Sequence, residues 1–151
     1  MTKVVIIIGS KADINWSKRI ASFLEKFGIE PSLRIASAHK TPLKCLEIIK
    51  EYENDNVIFI TVAGRSNALS GLVDFQTHLP VITCPPNPEW FDIFSSIRMP
   101  SSVASMLVLE PENAALAALK ILGLKDKEIQ EKIRDYQKNI KESLATNDYN
   151  G

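Results

Sequence analysis

Cysteine is scarce in this chain of 151 residues, with Cys45 and Cys84 the only two. Such a pair builds no disulfide framework and lacks metal-ligand spacing, so each is read as a free, buried small hydrophobe and not as a reactive thiol. An excess of one charge is lacking too: 18 Lys+Arg face 18 Asp+Glu, for a formal net charge of zero. Nucleic-acid and membrane-surface proteins usually carry a basic excess, so neither kind of partner is expected, whereas a small anionic ligand stays open. No apolar run is long enough to span a bilayer. Met1-Thr2-Lys3 leads straight into a strand-like run, without the charged region, apolar helix and small-residue site of a signal peptide. The expectation is a cytoplasmic protein. Internal repeats and low-complexity segments are also missing, and the length suits one compact domain over 1–151.

What is present alternates between strand and helix. Val4-Val5-Ile6-Ile7-Ile8, stopped by Gly9-Ser10, is an unbroken β-branched run of the kind buried on both faces of a parallel sheet. Apolar residues at helical spacing (Trp16, Ile20, Phe23, Leu24, Phe27) then predict a helix over Asp13–Phe27, with Gly28 where its C-cap belongs. A second strand is predicted over Glu30–Ile35. Thr41 and Pro42 open a helix that runs to about Asn54. Val57–Val62 reads as a third strand, Arg65–Gly71 as a loop of small and polar residues, and Pro80–Cys84 as a fourth strand. A short helix over Glu89–Ile97, a fifth strand near Ala104–Leu109, an Ala/Leu-rich helix from Pro111 to Gly123 and a charged amphipathic helix over Lys125–Leu144 complete the pattern. About residues 145–151 are expected to fray. The class is therefore α/β, a parallel sheet with right-handed crossovers and flanking helices. The Pro111–Leu122 helix is apolar almost all round and needs more cover than one small domain supplies, which points to a homo-oligomer.

In open parallel sheets ligands collect at the carboxyl ends of the strands. The segments leaving those ends are Gly9–Asp13, Ser37–Pro42, Ala63–Asn67, Cys84–Pro86 and Met99–Ser102, and all are expected on one rim. Gly9-Ser10 precedes a helix N-terminus, where free N–H groups favour an anion such as phosphate. Ser10 or Asp13 as a plain helix cap is the other reading, and this motif does not separate the two. His39 sits in a polar loop beside Ser37, Lys40 and Thr41, able to exchange protons near neutral pH, with Lys40 able to hold a phosphate or carboxylate. Arg65, followed by Ser66 and Asn67, offers a forked donor for the same anions or for a loop salt bridge, and Arg98 carries the same ambiguity. His78, between Thr77 and Leu79, takes a structural reading. Trp90 and Phe91 are read as core or interface.

Other chemistries lack their signatures. There is no G-x-G-x-x-G or P-loop, no G-x-S-x-G nucleophile elbow, no acid cluster at the end of the third strand, and no metal-site spacing. Residue chemistry alone stops at a phosphate-containing small ligand with a histidine proton shuttle.

Several segments together carry a resemblance: Gly9-Ser10-Lys11-Ala12-Asp13, Ser37-Ala38-His39-Lys40-Thr41-Pro42, the Ala63-Gly64 loop, Ser95-Ser96-Ile97-Arg98-Met99-Pro100 and Asn113-Ala114-Ala115. Over nearly its whole length the chain resembles the PurE family of aminoimidazole ribonucleotide carboxylases and mutases. The resemblance implies a three-layer, flavodoxin-like fold and an octamer in which the last helix packs on a neighbouring subunit. Mutase members typically read Gly-Gly-Ala-Ala-His after the third strand. Here Ala63-Gly64-Arg65-Ser66-Asn67-Ala68-Leu69-Ser70, together with Ser-Ala-His-Lys and Cys84-Pro85-Pro86, is similar to the branch that adds CO2 directly. That branch implies phosphoribosylaminoimidazole carboxylase activity with no metal, biotin or ATP. By the same resemblance His39 is the proton-transfer group, Gly9, Ser10 and Asp13 hold the ribose phosphate, Ser37, Ala38 and Lys40 close over the nucleotide, and Ala63, Gly64, Arg65 and Ser66 also bind substrate; the new carboxylate is oriented by loop amides and by Arg65 or Lys40. Ala12 stands where the family usually has serine, which shifts phosphate binding toward backbone amides. The alternatives are the N5-carboxyaminoimidazole ribonucleotide mutase and, more remotely, a flavodoxin-like module holding an FMN phosphate at Gly9–Asp13.

Overall fold

The computed structural model describes residues 1–146. Its centre is a five-stranded, all-parallel sheet in the order β2-β1-β3-β4-β5. The strands are β1 (Val4–Ile8), β2 (Ser32–Ile35), β3 (Ile58–Val62), β4 (Val81–Thr83) and β5 (Met106–Leu107). Every residue of β1 and β3 is buried, as an uninterrupted apolar run in a covered parallel sheet requires. They pair in register from Val4 opposite Ile58 to Ile8 opposite Val62. The helices are α1 (Ile14–Lys26), α2 (Pro42–Glu51), α3 (Leu69–Phe75), α4 (Phe94–Ile97), α5 (Pro111–Gly123) and α6 (Lys127–Thr146).

The pleat of the strands decides where the helices pack. Val5 and Ile7 of β1, Phe59 of β3 and Val81 of β4 share one buried cluster with Cys45, Ile48 and Ile49 of α2 and Leu69 and Val73 of α3. Alternate residues Val4, Ile6 and Ile8 point to the other face, and Ile20 and Leu24 of α1 are fully buried outside that cluster. α1 ends as its glycine requires: Gly28 takes φ 80°, and the N–H groups of Gly28 and Ile29 return to the carbonyls of Glu25 and Leu24.

By contact, the chain divides into two compact units, Met1–Ala118 and a second that begins at Leu119. The first contains the entire sheet. In the second, α6 buries Ile129 and Ile133, the Asp126 carboxylate caps its first turn by accepting from the Ile129 N–H, and Lys132 pairs with Glu128 one turn earlier.

Several boundaries differ from expectation. The loop expected over Arg65–Gly71 gives way at Leu69 to a helix, Leu69–Phe75, because Leu69 and Val73 at i,i+4 spacing plug into the core despite the Ser70-Gly71 that disguises them. The helix expected from Glu89 begins only at Phe94. Trp90 and Phe91, which precede it, are 75% and 58% exposed, so the core half of their reading is corrected. β5 is two residues long, and α6 runs through Thr146, past the expected start of fraying; residues 147–151 of that stretch lie outside the described residues. Both cysteines are buried, and burial pushes the Cys84 thiol up to about 12, as suits a packing residue.

Candidate active site

The strand order reverses between β1 and β3, where crossovers leave in opposite directions, and a crevice opens there. Gly9 makes the two strand ends meet. Its N–H donates to the Val62 carbonyl at 2.8 Å, and a Cβ in its place would lie 3.3 Å from the Cβ of Ala63. Around this point lies a cavity of about 520 Å³, a size ordinary for a small-molecule site. Gly9, Ser10, Asp13, Ser37, Ala38, His39, Lys40, Ala63, Gly64, Arg65 and Ser66, all singled out from the sequence, line it together. Segments following β1, β2, β3 and β4 contribute. The fifth, Met99–Ser102, does not reach it, and neither does Arg98, so those two expectations are corrected. Nor does His78: it is exposed and borders a separate cleft with Leu46 and Phe75.

Each wall has a local cause. After β1 the chain makes a 3-10 turn, Lys11–Asp13, which Ser10 caps by accepting from the Ala12 N–H at 3.2 Å. The plain-cap reading thus holds for Ser10, which also lines the cavity. Asp13 stands at the N-cap of α1 without a side-chain cap bond, so its carboxyl is not spent on the helix. Burial raises that carboxyl above its ordinary 3.8, and the positive charge of Arg65 opposes the rise.

The loop after β2 is braced from within. The Ser37 N–H donates to Thr41 Oγ1 at 2.9 Å, the Lys40 N–H to Ser37 Oγ at 3.1 Å, and the Thr41 N–H to the Ser37 carbonyl at 2.8 Å. Pro42 then starts α2. His39 is thereby presented to solvent beside Lys40 on a fixed turn.

The loop after β3 is held by a buried polar chain. Asn67 Nδ2 donates to Ser70 Oγ at 2.8 Å and to Ser96 Oγ at 2.9 Å, its Oδ1 accepts from the Ser70 N–H, and Ser70 Oγ lies 2.8 Å from Thr61 Oγ1 in β3. Asn67, Ser70, Ser96 and Thr61 are all buried, so removing one partner strands another at about 1–3 kcal/mol. Asn67 thereby supplies the cap that Ala68, at the N-cap of α3, cannot. Arg65 has φ 58° and Asn87, another wall residue, φ 37°. Left-handed backbone at residues other than glycine concentrates where surroundings over-determine it, commonly at functional sites. Ala12, Ala68, Leu69, Pro86, Asn87 and Asp92 complete the lining; the first four lie in site segments already named from the sequence, whereas Asn87 and Asp92 do not.

Among the described residues no group of three or more His, Cys, Asp and Glu is placed to hold a metal ion, and no helix is long and apolar enough to cross a membrane. Taken together, the arrangement brings a helix start, a histidine, a lysine and an arginine to one small cavity.

Residues 3–143 match the family model described as AIR carboxylase. The chain belongs to the AIR carboxylase family. Among its AIR carboxylase relatives is a phosphoribosylaminoimidazole carboxylase of Archaeoglobus fulgidus, 61% identical over 94% of this chain and 81% of that protein. The bifunctional phosphoribosylaminoimidazole carboxylase/phosphoribosylaminoimidazole succinocarboxamide synthetase of Drosophila melanogaster is 44% identical over 87% of this chain, which spans 32% of that longer protein. The crystal structure of Treponema denticola PurE superposes with a TM-score of 0.92 at 45% identity, covering 96% of this chain and 95% of that one. The AIR carboxylase fold is thus the five-stranded parallel sheet described above.

Proposed function

We propose that this chain is a phosphoribosylaminoimidazole carboxylase that adds CO2 directly to C4 of 5-aminoimidazole ribonucleotide. The observation that carries the reading is the meeting of His39, Lys40 and Arg65 with the Ser10–Asp13 helix start in one cavity of a chain from this family. The amino group of the substrate makes C4 of its ring electron-rich. C4 attacks the carbon of CO2, a carbon–carbon bond forms, and one C=O bond becomes a carboxylate. His39 then takes the proton from the same C4, and the ring regains aromaticity. Confining CO2 beside C4 is mainly an entropic task, which a small lined cavity performs.

The remaining residues divide the ligand by charge. Gly9, Ser10 and the start of the helix that follows suit the phosphate, with Ala12 contributing no hydroxyl and its N–H, like that of Asp13, already donating to Ser10. Asp13, an acid, suits the ribose hydroxyls better than the phosphate. Ser37, Ala38 and Lys40 cover the nucleotide, and Ala63, Gly64, Arg65 and Ser66 meet the new carboxylate. The chemistry needs no metal, biotin or ATP. The chain acts as a single catalytic protein in a cytoplasmic homo-oligomer, by family resemblance an octamer, with no nucleic-acid or membrane partner.

Short-time initial rates with two substrates test the reaction. One sample contains 5-aminoimidazole ribonucleotide with dissolved CO2, the other freshly made N5-carboxyaminoimidazole ribonucleotide, which decays to the first. Turnover in the CO2 sample alone is expected, and His39→Asn should bind nucleotide while losing about 100-fold or more in kcat. Immediate turnover of the N-carboxylated compound would make the protein a mutase. Activity with neither, in a yellow protein, would favour a flavin-binding module.

A further inference from the structure

Ser95-Ser96 is part of the sequence resemblance, yet neither residue lines the cavity. Both stand behind its wall. Ser95 Oγ accepts from the Asn67 N–H at 2.9 Å and lies 2.8 Å from the Arg65 carbonyl and 2.9 Å from the Asp92 carbonyl, one of which receives its proton. Ser96 Oγ accepts from Asn67 Nδ2 at 2.9 Å. One hydroxyl therefore closes around both ends of the Arg65-Ser66-Asn67 turn and joins it to the segment bearing Asp92, and Arg65 and Asp92 are both wall residues.

That turn would not hold itself. Arg65 has φ 58°, a conformation an arginine avoids when free, and its side chain is exposed, with no ion pair among the described salt bridges. What fixes its backbone is the bonding on either side, and Ser95 makes both described side-chain bonds to that backbone, at the Arg65 carbonyl and the Asn67 N–H, while Ser96 holds the Asn67 side chain. A guanidinium can orient a carboxylate only if its stem starts from a fixed place, since a misplacement of about 1 Å costs much of an orienting group's effect.

We propose that Ser95 is a positioning residue that acts through Arg65, clamping the Arg65–Asn67 turn so that the guanidinium meets the carboxylate being formed. The clamp stands on the hydrogen bonds alone; the chemistry it serves rests on the carboxylase reading. Because phosphate and ribose are held elsewhere, loss of the clamp acts on the chemical step and not on nucleotide affinity.

The test compares Ser95→Ala, Ser95→Thr, Arg65→Ala and the Ser95→Ala/Arg65→Ala double variant with 5-aminoimidazole ribonucleotide and CO2, alongside hydrogen exchange of the Asn67 amide. Ser95→Ala should lower kcat about tenfold with KM for the nucleotide within about twofold. Ser95→Thr, which keeps the hydroxyl, should recover most of that loss. In the Arg65→Ala background Ser95→Ala should add nothing, because the two act as one unit. The Asn67 amide should exchange faster in Ser95→Ala at unchanged melting temperature. A wild-type kcat in Ser95→Ala, or losses that multiply in the double variant, would overturn the proposal. If the wild type turns over neither substrate, the carboxylase reading falls, and unchanged exchange at Asn67 in Ser95→Ala would then remove the clamp as well.

Discussion

At the scale of the residue, Asp13 shows what a site demands of a fold. Its carboxyl is raised above 3.8 by burial, with Arg65 only partly offsetting the effect. In the unfolded chain the same group ionises at its ordinary value. Between 3.8 and the raised value the folded state therefore binds more protons, and stability falls as pH rises through that window. Above it, at neutral pH, the penalty is fully present. Asp13→Asn removes the charge at almost constant shape, so its melting temperature at pH 7 should exceed that of the wild type, and the two should converge below pH 3.8. Turnover should fall in the same variant, since stabilising a site residue commonly costs function. A lower melting temperature at pH 7 would mean that the carboxylate has a partner outweighing its burial. Residues of this kind were legible because their chemistry is rare: a glycine-serine turn before a helix, one histidine in a polar loop, an arginine after a buried strand. Ser95, Ser96 and Asn67 were named only as parts of longer motifs, and what they do was not legible. A serine looks alike everywhere in a sequence, and these find their meaning in partners 28 to 30 positions away.

At the scale of the element, the strongly patterned pieces read correctly, while α3, α4 and β5 were missed or misbounded. β1 and β3 announce themselves because every residue but Thr61 is apolar and every residue is buried. α1 shows its start in Ser10–Asp13 and its stop in Gly28. α3 has seven residues with a serine and a glycine inside, and forms because Asn67 caps it and Leu69 and Val73 are buried, a tertiary decision that local propensity does not record. α4 is shorter still, four residues pinned through Ser95 and Ser96 to the loop after β3. The stop of α1 is open to a direct check. Gly28 sits at φ 80°, where any Cβ is strained, so Gly28→Ala should destabilise the protein by about 1 kcal/mol. For a chain of this length that lowers the melting temperature by roughly 3 °C, with activity at 25 °C unchanged because the position is remote from the cavity. An unchanged or raised melting temperature would show that the helix end relaxes into another cap. The Arg19–Glu112 pair between α1 and α5, two bonds of 3.0 Å between half-exposed groups, adds at most about 1 kcal/mol by comparison.

At the scale of the whole molecule, apolar surface is left over. α5 buries Ala114, Ala115, Ala118 and Leu119 completely, yet Leu116, Ala117, Ile121 and Leu122 on its remaining faces keep partial exposure. α6 carries one apolar stripe at helical spacing, Ile129, Ile133, Ile140 and Leu144, and divides it in two: the first pair is 3% and 7% exposed, the second 43% and 72%. A stripe that continues past its own cover is what a helix shows when its far half is finished by another copy of the chain. The protein should therefore sediment as a species several times heavier than its 16.8 kDa chain, an octamer if the family resemblance extends to assembly. Ile140→Lys with Leu144→Lys separates this from a merely exposed helix end. Substitutions at such exposed positions change the stability of a lone chain by about 0.5 kcal/mol or less, so a monomer would barely register them. In an assembly the same two lysines place unpaired charge in an apolar contact, and the sedimenting species should become smaller at protein concentrations where the wild type stays intact. A wild-type protein that sediments at 16.8 kDa, or a double variant that sediments like the wild type, would show that α6 ends in solvent and that the cover for α5 must be sought on another face.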